Sequence, residues 1–211
     1  KMRNHLLSEN NDRPFFIEEG PQQLIWNDPR TDDFGDGRIL YPRGPYPPGS
    51  FDLSQLIISW TDKDVTFSIV TAAQVPLERC AVYPLVDVYI DINRLPEAGN
   101  TVPLKRRGPT LIQKEAAWEY AICMNPKEGI LYQALLGNEA RQLLSLETKS
   151  NPTANTFSVT IPIKAIRGDP RQWRLSVGVM GEESQPNGNE LVPISISSET
   201  GEKHFGGAVQ G

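Results

Sequence analysis

The sequence contains few of the residues that most often carry catalysis. It has only two histidines, His5 and His204, no Gly-x-Ser-x-Gly piece and no glycine-rich phosphate loop. Carboxylates are plentiful, but none sits in a recognisable catalytic motif. A hydrolase needs a nucleophile with a base, or two carboxylates facing each other across a cleft. We therefore predict that this chain is not itself an enzyme.

Long apolar runs and positive charge are also lacking. No run approaches the roughly 20 apolar residues that span a bilayer, so no membrane span is predicted. Residues 1–12 are polar and have no apolar centre, which argues against a signal peptide. The net charge is −5, and the one basic cluster is Lys105-Arg106-Arg107. Nucleic acid is therefore not an expected partner.

Cysteine is scarce, since only Cys80 and Cys123 occur. Their spacing matches no zinc or haem motif. Two buried thiols are one interpretation. A disulfide is the other, and it requires an oxidising compartment. The sequence leaves both open.

Short alternating runs are abundant, and amphipathic helical patterns are not. Residues 65–70 and 85–92 alternate apolar with polar side chains, which is typical of strands. About nine such runs are separated by turn signals, which predicts an all-β fold, an antiparallel β-sandwich. The clearest predicted strands are residues 51–60, 65–70, 85–92, 116–124, 129–136, 142–147, 155–163 and 173–180. Residues 1–13 are predicted to be a flexible arm, and 14–211 a single module.

The alternation also predicts which side chains are buried. In residues 85–92, the valines and isoleucines are assigned to the core, and Asp87, Tyr89 and Asp91 to the solvent face. Trp118 and Trp173 are in phase with apolar neighbours, so both are assigned to the core.

An acidic loop, residues 27–52, is rich in proline, glycine and aspartate. Closely spaced carboxylates on a tight loop suit calcium, which prefers hard oxygen ligands, although the spacing does not match an EF-hand. We predict a structural calcium ion, with Asp91 joining the loop. The predicted ligands are Asp28, Asp32, Asp33, Asp36 and Asp91. The alternative is a solvated acidic turn without metal.

Aromatic side chains supply the second set of candidate site residues, because the C–H faces of sugar rings pack on aromatic faces. Tyr41, Tyr46 and Tyr83 lie beside prolines in predicted loops, where exposure is expected. Tyr132 and the four tryptophans are further candidates, with core packing as the alternative. The predicted carbohydrate-binding residues are Tyr41, Tyr46, Tyr83 and Trp60.

Several segments together resemble the C-terminal module of glucodextranase. In chain order they are DPRTDDFGDGRILYP, PGSFDL, VDVYIDIN, AGNTVPL, AAWEYAI, GDPRQWRLSVGVMG and HFGGA, covering about residues 24–208. The chain departs from the family pattern before VDVYIDIN, where LERCAVYP replaces a tryptophan-containing piece. The resemblance implies a DOMON-like β-sandwich, related to family 9 carbohydrate-binding modules.

The resemblance also implies a function and a setting. It implies a non-catalytic accessory module of a secreted or cell-surface glucan-degrading enzyme. Such a module binds a polysaccharide or cell-surface glycan and contacts neighbouring domains of a larger parent protein. One alternative is a structural surface-layer-type protein that binds protein neighbours. A second is a haem b electron-transfer module of the DOMON type, with Met124, Met180, Lys203 and His204 as candidate axial ligands.

Overall fold

The computed structural model describes residues 22–29, 40–76, 78–105, 107, 111–151, 154–183 and 205. Nine β-strands and three short 3₁₀ turns make up the regular structure of these residues, which include no α-helix. The strands are β1 (Gln22–Asn27), β2 (Leu53–Trp60), β3 (Asp64–Thr71), β4 (Val82–Asp91), β5 (Tyr120–Met124), β6 (Glu128–Leu135), β7 (Glu139–Asn151), β8 (Thr156–Pro162) and β9 (Arg174–Glu183). The 3₁₀ turns are Lys114–Ala116, Ile163–Ala165 and Pro170–Gln172.

The strands form where apolar side chains alternate with polar ones. In β2 and β3 every second side chain is buried, as the two-residue period of a strand requires. The turn between them is closed by Thr61, whose hydroxyl accepts hydrogen bonds from the backbone amides of Lys63 and Asp64, both at 3.1 Å. Residues 61–64 thus reverse the chain into the predicted hairpin.

All pairings between the strands are antiparallel, in the order β1-β2-β3-β8-β7-β6-β5-β4-β9. The 13-residue strand β7 joins the two halves of this curled sheet. Residues 139–147 pair with β6, and residues 148–151 pair with β8. We call β1, β2, β3 and β8 the first half, and β4, β5, β6 and β9 the second half. The predicted all-β antiparallel class is confirmed, and β7 joins the two halves into one continuous sheet.

The main core lies between the two halves. Phe67 and Ile69 from β3 share one buried cluster with Val88 and Ile90 from β4. Trp173 stacks on Phe67, with ring centroids 6.1 Å apart and planes 4° from parallel. The inward-facing alternation of the sequence therefore predicted this core correctly, including Trp173.

The outward face of β4 is buried too, contrary to the prediction. Asp87 is fully buried, and Tyr89 and Asp91 are 2% and 1% exposed. The residues after β4 fold back over this face and form a second cluster, the outer cluster. Its members are Tyr89, Leu104, Ile112, Ala116, Trp118 and Ala121. Alternation reports the side chain direction, but it does not reveal that a later loop covers the face.

Some element boundaries differ from those predicted. β4 begins at Val82 rather than at residue 85, and β5 begins at Tyr120 rather than at residue 116. Trp118 precedes β5 and packs in the outer cluster, whereas Tyr120 and Ile122 pack in the main core. Trp118 lies before the first residue of β5, so its side chain does not follow the alternation of that strand. Trp118 is nevertheless buried, as predicted.

A third apolar cluster closes one end of the molecule. Phe51, Val82 and Phe205 are its buried members, and Tyr41 and Tyr46 pack against them. Phe51 and Phe205 meet edge to face, with centroids 5.0 Å apart. Phe205, far along the sequence, thus helps to hold the second part of the acidic loop against the start of β4. The predicted arm, residues 1–13, lies outside the described residues.

The two cysteines are not joined by a disulfide. Cys80 contacts the hydroxyl of Tyr46, while Cys123 lies on β5 beside Arg107. Burial raises the pKa of the Cys80 thiol. Of the two interpretations that the sequence left open, the structure shows separate thiols.

Candidate binding site

The hydroxyl of Tyr41 binds the chain around Gly49, and the hydroxyl of Tyr46 binds the start of β4. The hydroxyl of Tyr41 accepts hydrogen bonds from the amides of Gly49 at 2.9 Å and Phe51 at 3.4 Å. The hydroxyl of Tyr46 accepts one from the amide of Val82 at 2.9 Å. Burial raises the pKa of Tyr46 to about 12. Both rings are half-buried, and both hydroxyls bind backbone amides rather than facing solvent.

Tyr83 and Trp60 are strand residues with buried side chains. Tyr83 is 5% exposed, and the Nζ atom of Lys127 lies 4.3 Å from the centre of its ring. Its predicted exposure in a loop is wrong, because β4 begins one residue before it. Trp60 ends β2 and is 7% exposed in the main core. The four predicted sugar-binding aromatics therefore do not form a common surface.

The predicted calcium ligands are only partly described. Asp32, Asp33 and Asp36 lie outside the described residues, whereas Asp28 follows β1 and its amide donates to the carbonyl oxygen of Ser54 at 3.0 Å. Within the described part of the chain, no group of three or more His, Cys, Asp or Glu side chains is placed to hold a metal ion. The calcium prediction therefore remains untested.

Asp91 lies far from Asp28. The backbone carbonyl oxygen of Ser54 accepts the hydrogen bond from Asp28. Ser54 comes three residues after Phe51, and Phe51 shares an apolar cluster with Val82, the first residue of β4. Asp91 is the last residue of this ten-residue strand. At about 3.3 Å per residue, the two ends of β4 are about 30 Å apart. The structure thus does not bring Asp91 to the described ends of the acidic loop.

The candidate haem ligands do not form a common site among the described residues. Met124 is fully buried in the main core. Met180 follows Val179, which packs against the main core, so its side chain points to the other face of β9. Lys203 and His204 lie outside the described residues. Core packing accounts for Met124 without a cofactor.

The chain between β4 and β5 is fastened over the outer face of the second half. Asn100 and Trp118 exchange two backbone hydrogen bonds of 2.9 Å. The indole Nε1 of Trp118 donates to the carbonyl oxygen of Val102 at 3.1 Å. Gly99 permits this closure, because a Cβ atom there would lie 2.4 Å from the carbonyl oxygen of Trp118. We call residues 93–118 the covering loop.

A buried ion pair holds the covering loop from inside. Arg107 donates to Asp87 twice, from Nε to Oδ2 at 2.6 Å and from Nη2 to Oδ1 at 3.1 Å. The hydroxyl of Tyr89 donates to the same Oδ2 at 2.8 Å and accepts from the amide of Leu104 at 3.2 Å. Nη2 of Arg107 also lies 3.1 Å from the thiol sulfur of Cys123. Both charges are thus paired and hydrogen-bonded, as buried charges must be.

This network shifts the pKa values of its members. Burial lowers the pKa of the Arg107 guanidinium, but the charge and hydrogen bonds of Asp87 outweigh that effect, so the pKa rises overall. Burial, with the charge of Asp87, raises the pKa of Tyr89. Arg107 therefore stays charged and Tyr89 stays a neutral donor over the physiological pH range.

A cleft of about 300 Å³ opens beside this network, between the covering loop and the outer face of the sheet. Its floor includes Cys123, Ile130 and Tyr132, and its walls include Trp118 and Arg107. Polar side chains surround these residues. They are Lys105, Asn125, Glu128 and Asn138. We call this the outer cleft. Burial raises the pKa of Tyr132, so its hydroxyl remains a neutral hydrogen-bonding group at neutral pH.

The outer cleft combines the two chemistries that sugar recognition uses. The half-buried ring of Tyr132 offers apolar surface, and amides and charged groups at the rim can meet hydroxyls. The covering loop and the ion pair fix these groups in advance, which lowers the cost of binding. Sequence reasoning named Tyr132 and Trp118 among its aromatics but missed the cleft. The residue that could have indicated the cleft is Arg107, which pairs with Asp87 and lines the cleft. From the sequence alone it was interpreted only as part of a basic cluster.

A second cleft, of about 420 Å³, lies between the end of β3, the start of β4 and the end of β7. Arg79, Gln74, Asn151 and Asn155 supply its polar groups. The one aromatic residue among its lining, Phe157, is 3% exposed and belongs to the main core. Without an accessible aromatic face, this cleft fits a sugar ring less well than the outer cleft.

The fold and the outer cleft are those of a binding module built on an antiparallel β-sheet. Comparison with family models makes the assignment specific. Residues 25–211 match the C-terminal, SLH-like binding module of glucodextranase, and the chain belongs to this family. The family resemblance of the sequence is thereby confirmed. A search among curated proteins finds no match. Among the described residues, no helix is long and apolar enough to cross a membrane.

Proposed function

We propose that this module binds a polysaccharide or cell-surface glycan in the outer cleft, without acting on it chemically. The observation that carries the proposal is that the half-buried ring of Tyr132 and several polar side chains line one cleft of the outer face. The family supports binding as the task, since its description is that of a binding module. The extracellular setting and the attachment to a glucan-degrading enzyme follow from the same family and belong to the proposal.

The proposal assigns separate roles to the parts of the cleft. Tyr132 presents its ring to a pyranose face, and Asn138 offers an amide to the hydroxyls. Asn138 has a positive φ of 59° in the turn between β6 and β7, and it lies at the rim of the cleft. Lys105 pairs with Glu139 at 3.3 Å and is 85% exposed, so water screens this ion pair and it can exchange for a ligand.

Affinity electrophoresis in gels that contain soluble glucans tests this proposal. The wild type should migrate more slowly in at least one glucan than in the plain gel. Tyr132→Ala should abolish the retardation, and Asn138→Gly should weaken it while keeping the turn, since glycine tolerates positive φ. Asn155→Gly is the matched control, because Asn155 also has a positive φ, 52°, but lines the second cleft.

Two results would reject the outer cleft as the glycan site. One is wild-type migration that is the same in every glucan and in the plain gel. The other is retardation that survives Tyr132→Ala but disappears in Asn155→Gly, which would place the site in the second cleft. Circular dichroism of each variant checks that the fold is retained.

A surface-layer-type protein that binds protein neighbours is a second candidate function. The observation that favours it is the turn after β6, where Leu135 is 41% and Leu136 is 99% exposed. Adjacent exposed leucines are unusual on a solvent-facing turn. Assembly that increases with protein concentration and is lost in Leu136→Ser, without any glycan retardation, would support this alternative over the first.

A further inference from the structure

The last residue of β4 carries a buried oxygen without a hydrogen-bond partner. Asp91 is 1% exposed, and its Oδ1 accepts hydrogen bonds from the amides of Asn93 at 3.1 Å and Arg94 at 2.7 Å. Its Oδ2 accepts none. A buried oxygen without a hydrogen-bond partner destabilises the folded state, and more so when it is charged. Such an atom in a native structure calls for a partner that protein groups do not supply.

A second carboxylate lies beside it. Glu119 is half-buried; its Oε2 accepts from the amide of Ile92 at 2.9 Å, and its Oε1 from Nδ2 of Asn93 at 2.6 Å. Burial first, and then the charge of Asp91, raises the pKa of Glu119. Asn93 is therefore held between the two carboxyl groups, donating its backbone amide to Asp91 and its side-chain amide to Glu119.

The nearby basic side chains do not neutralise this pair. Arg94 donates from Nε to the carbonyl oxygen of Gln172 at 2.9 Å. Arg174, which stands opposite Asp91 in β9, donates to the carbonyl oxygen of Glu115. Lys114, in the adjoining 3₁₀ turn, pairs with Glu97. None of the ion pairs found within the described part of the chain involves Asp91 or Glu119.

We propose that Asp91 and Glu119 bind a hard divalent cation, calcium in the first instance, at the end of β4 remote from the acidic loop. Asp91 Oδ2 and a Glu119 oxygen supply two ligands, and water and neutral oxygens complete the shell. Calcium accepts six to eight oxygen ligands in a flexible geometry, and sites with few carboxylates bind it with dissociation constants of about 10⁻⁴–10⁻³ M. The cation would replace a repulsion between two partly buried charges with two attractions.

This site is independent of the glycan proposal and of the acidic loop. Asp91 is separated from the chain around Asp28 by the length of β4, so one ion cannot serve both places. The outer cleft shares no lining residue with the Asp91–Glu119 pair. An experiment can therefore disprove cation binding by Asp91 and Glu119 without affecting the other two proposals.

Isothermal titration of the calcium-free protein with calcium tests the site. Variants Asp91→Asn and Glu119→Gln keep the carbonyl acceptors for the backbone amides but remove one charge each. Each variant should either lose this calcium-binding site or bind calcium there with an affinity about tenfold or more below that of the wild type. Glu147→Gln, an exposed residue of β7, is the matched control and should bind as the wild type does. Asp33→Ala should leave this equivalent intact.

The outcomes show whether or not Asp91 and Glu119 bind a cation. Wild-type protein that binds no calcium up to several times 10⁻³ M would overturn the proposal. So would Asp91→Asn and Glu119→Gln proteins that bind with unchanged affinity. A rise in melting temperature of Asp91→Asn in chelator, combined with an absence of binding in the wild type, would mean that the two carboxylates repel each other without a bound cation and would also overturn the proposal.

Discussion

The planar guanidinium of Arg107 donates hydrogen bonds from Nε and Nη2 to the two carboxylate oxygens of Asp87, although the residues are 20 positions apart in the sequence. The arginine side chain is 9% exposed and the aspartate is fully buried. Planar, two-bonded pairing of this kind gives geometric precision as well as energy. Together with the hydrogen bond from Leu104 to Tyr89, this pair fixes the covering loop on β4 and places Arg107 in the wall of the outer cleft.

The first prediction concerns the loss of this pair. Arg107→Ala should lower the free energy of unfolding by about 3–5 kcal/mol, because it leaves the charge of Asp87 buried without a partner. Urea unfolding followed by tryptophan fluorescence measures the change. Lys105→Ala removes an exposed ion pair two residues away and should cost less than about 1 kcal/mol. Similar losses in the two variants would contradict a buried, stability-determining pair.

The second prediction concerns alkaline pH. The pKa of Tyr46 rises from 10.0 to about 12 on folding. A raised folded pKa means that the unfolded state ionises first, so this contribution to stability is complete below pH 10 and is lost as the pH rises towards 12. Tyr46→Phe keeps the ring but loses the hydrogen bond to Val82, which costs about 1 kcal/mol at neutral pH. The stability difference between wild type and variant should shrink between pH 10 and 12; a constant difference would refute the assignment.

The third prediction concerns the cysteines. Protein unfolded without reductant should react with two equivalents of a thiol reagent, because Cys80 and Cys123 are not bridged. Single variants Cys80→Ala and Cys123→Ala should each react with one equivalent. Adding a reductant should leave the melting temperature unchanged. If the unfolded wild type shows no reactive thiol, the two residues are bridged, and reduction should then cost about 2–4 kcal/mol.

The fourth prediction concerns the acidic loop, which we propose to hold a structural calcium ion. Asp28, Asp32, Asp33 and Asp36 concentrate four negative charges within nine residues, and a cation bound only in the folded state adds stability by mass action. A chelator should lower the melting temperature, and calcium should restore it better than magnesium, which requires a tighter octahedral shell.

Variants separate the loop from other carboxylates. Asp33→Ala and Asp36→Ala should each remove most of the calcium response that the chelator reveals. Asp62→Ala, in the exposed turn between β2 and β3, should respond as the wild type does. If thermal unfolding is the same in chelator and in millimolar calcium, the aspartates form a solvated turn held by prolines and glycines.

The strands could be predicted because their information is local. In β3, Val65, Phe67 and Ile69 alternate with polar residues, and each of the three is fully buried. The fully buried strand β4 shows where this reasoning fails. Asp87 and Asp91 look solvent-facing in a period-two pattern, but Asp87 is buried by Arg107, a partner that follows 20 residues later. No local pattern encodes a contact of that sequence separation.

The candidate site was harder to predict for the same reason. Tyr41 and Tyr46 stand beside prolines in irregular chain, which suggested exposed aromatic surfaces. Their hydroxyls instead satisfy backbone amides at Gly49 and Val82, and only the folded positions of those amides reveal this. The outer cleft collects side chains from the covering loop and from in or next to β4, β5, β6 and β7, so its existence depends on the topology of the sheet rather than on any motif.

The topology of the sheet has a consequence for synthesis on the ribosome. β3 pairs with β8 and β4 pairs with β9, the two strands of the sheet that are made last. A nascent chain that ends after β7 can form its hairpins, but β3 and β4 each keep one unpaired row of backbone groups. Such edges recruit other strands and make folding intermediates prone to aggregate. The sheet of the described residues therefore closes only when β9 has been made, and chains terminated before Thr156 carry two unpaired edges that are prone to pair with other strands.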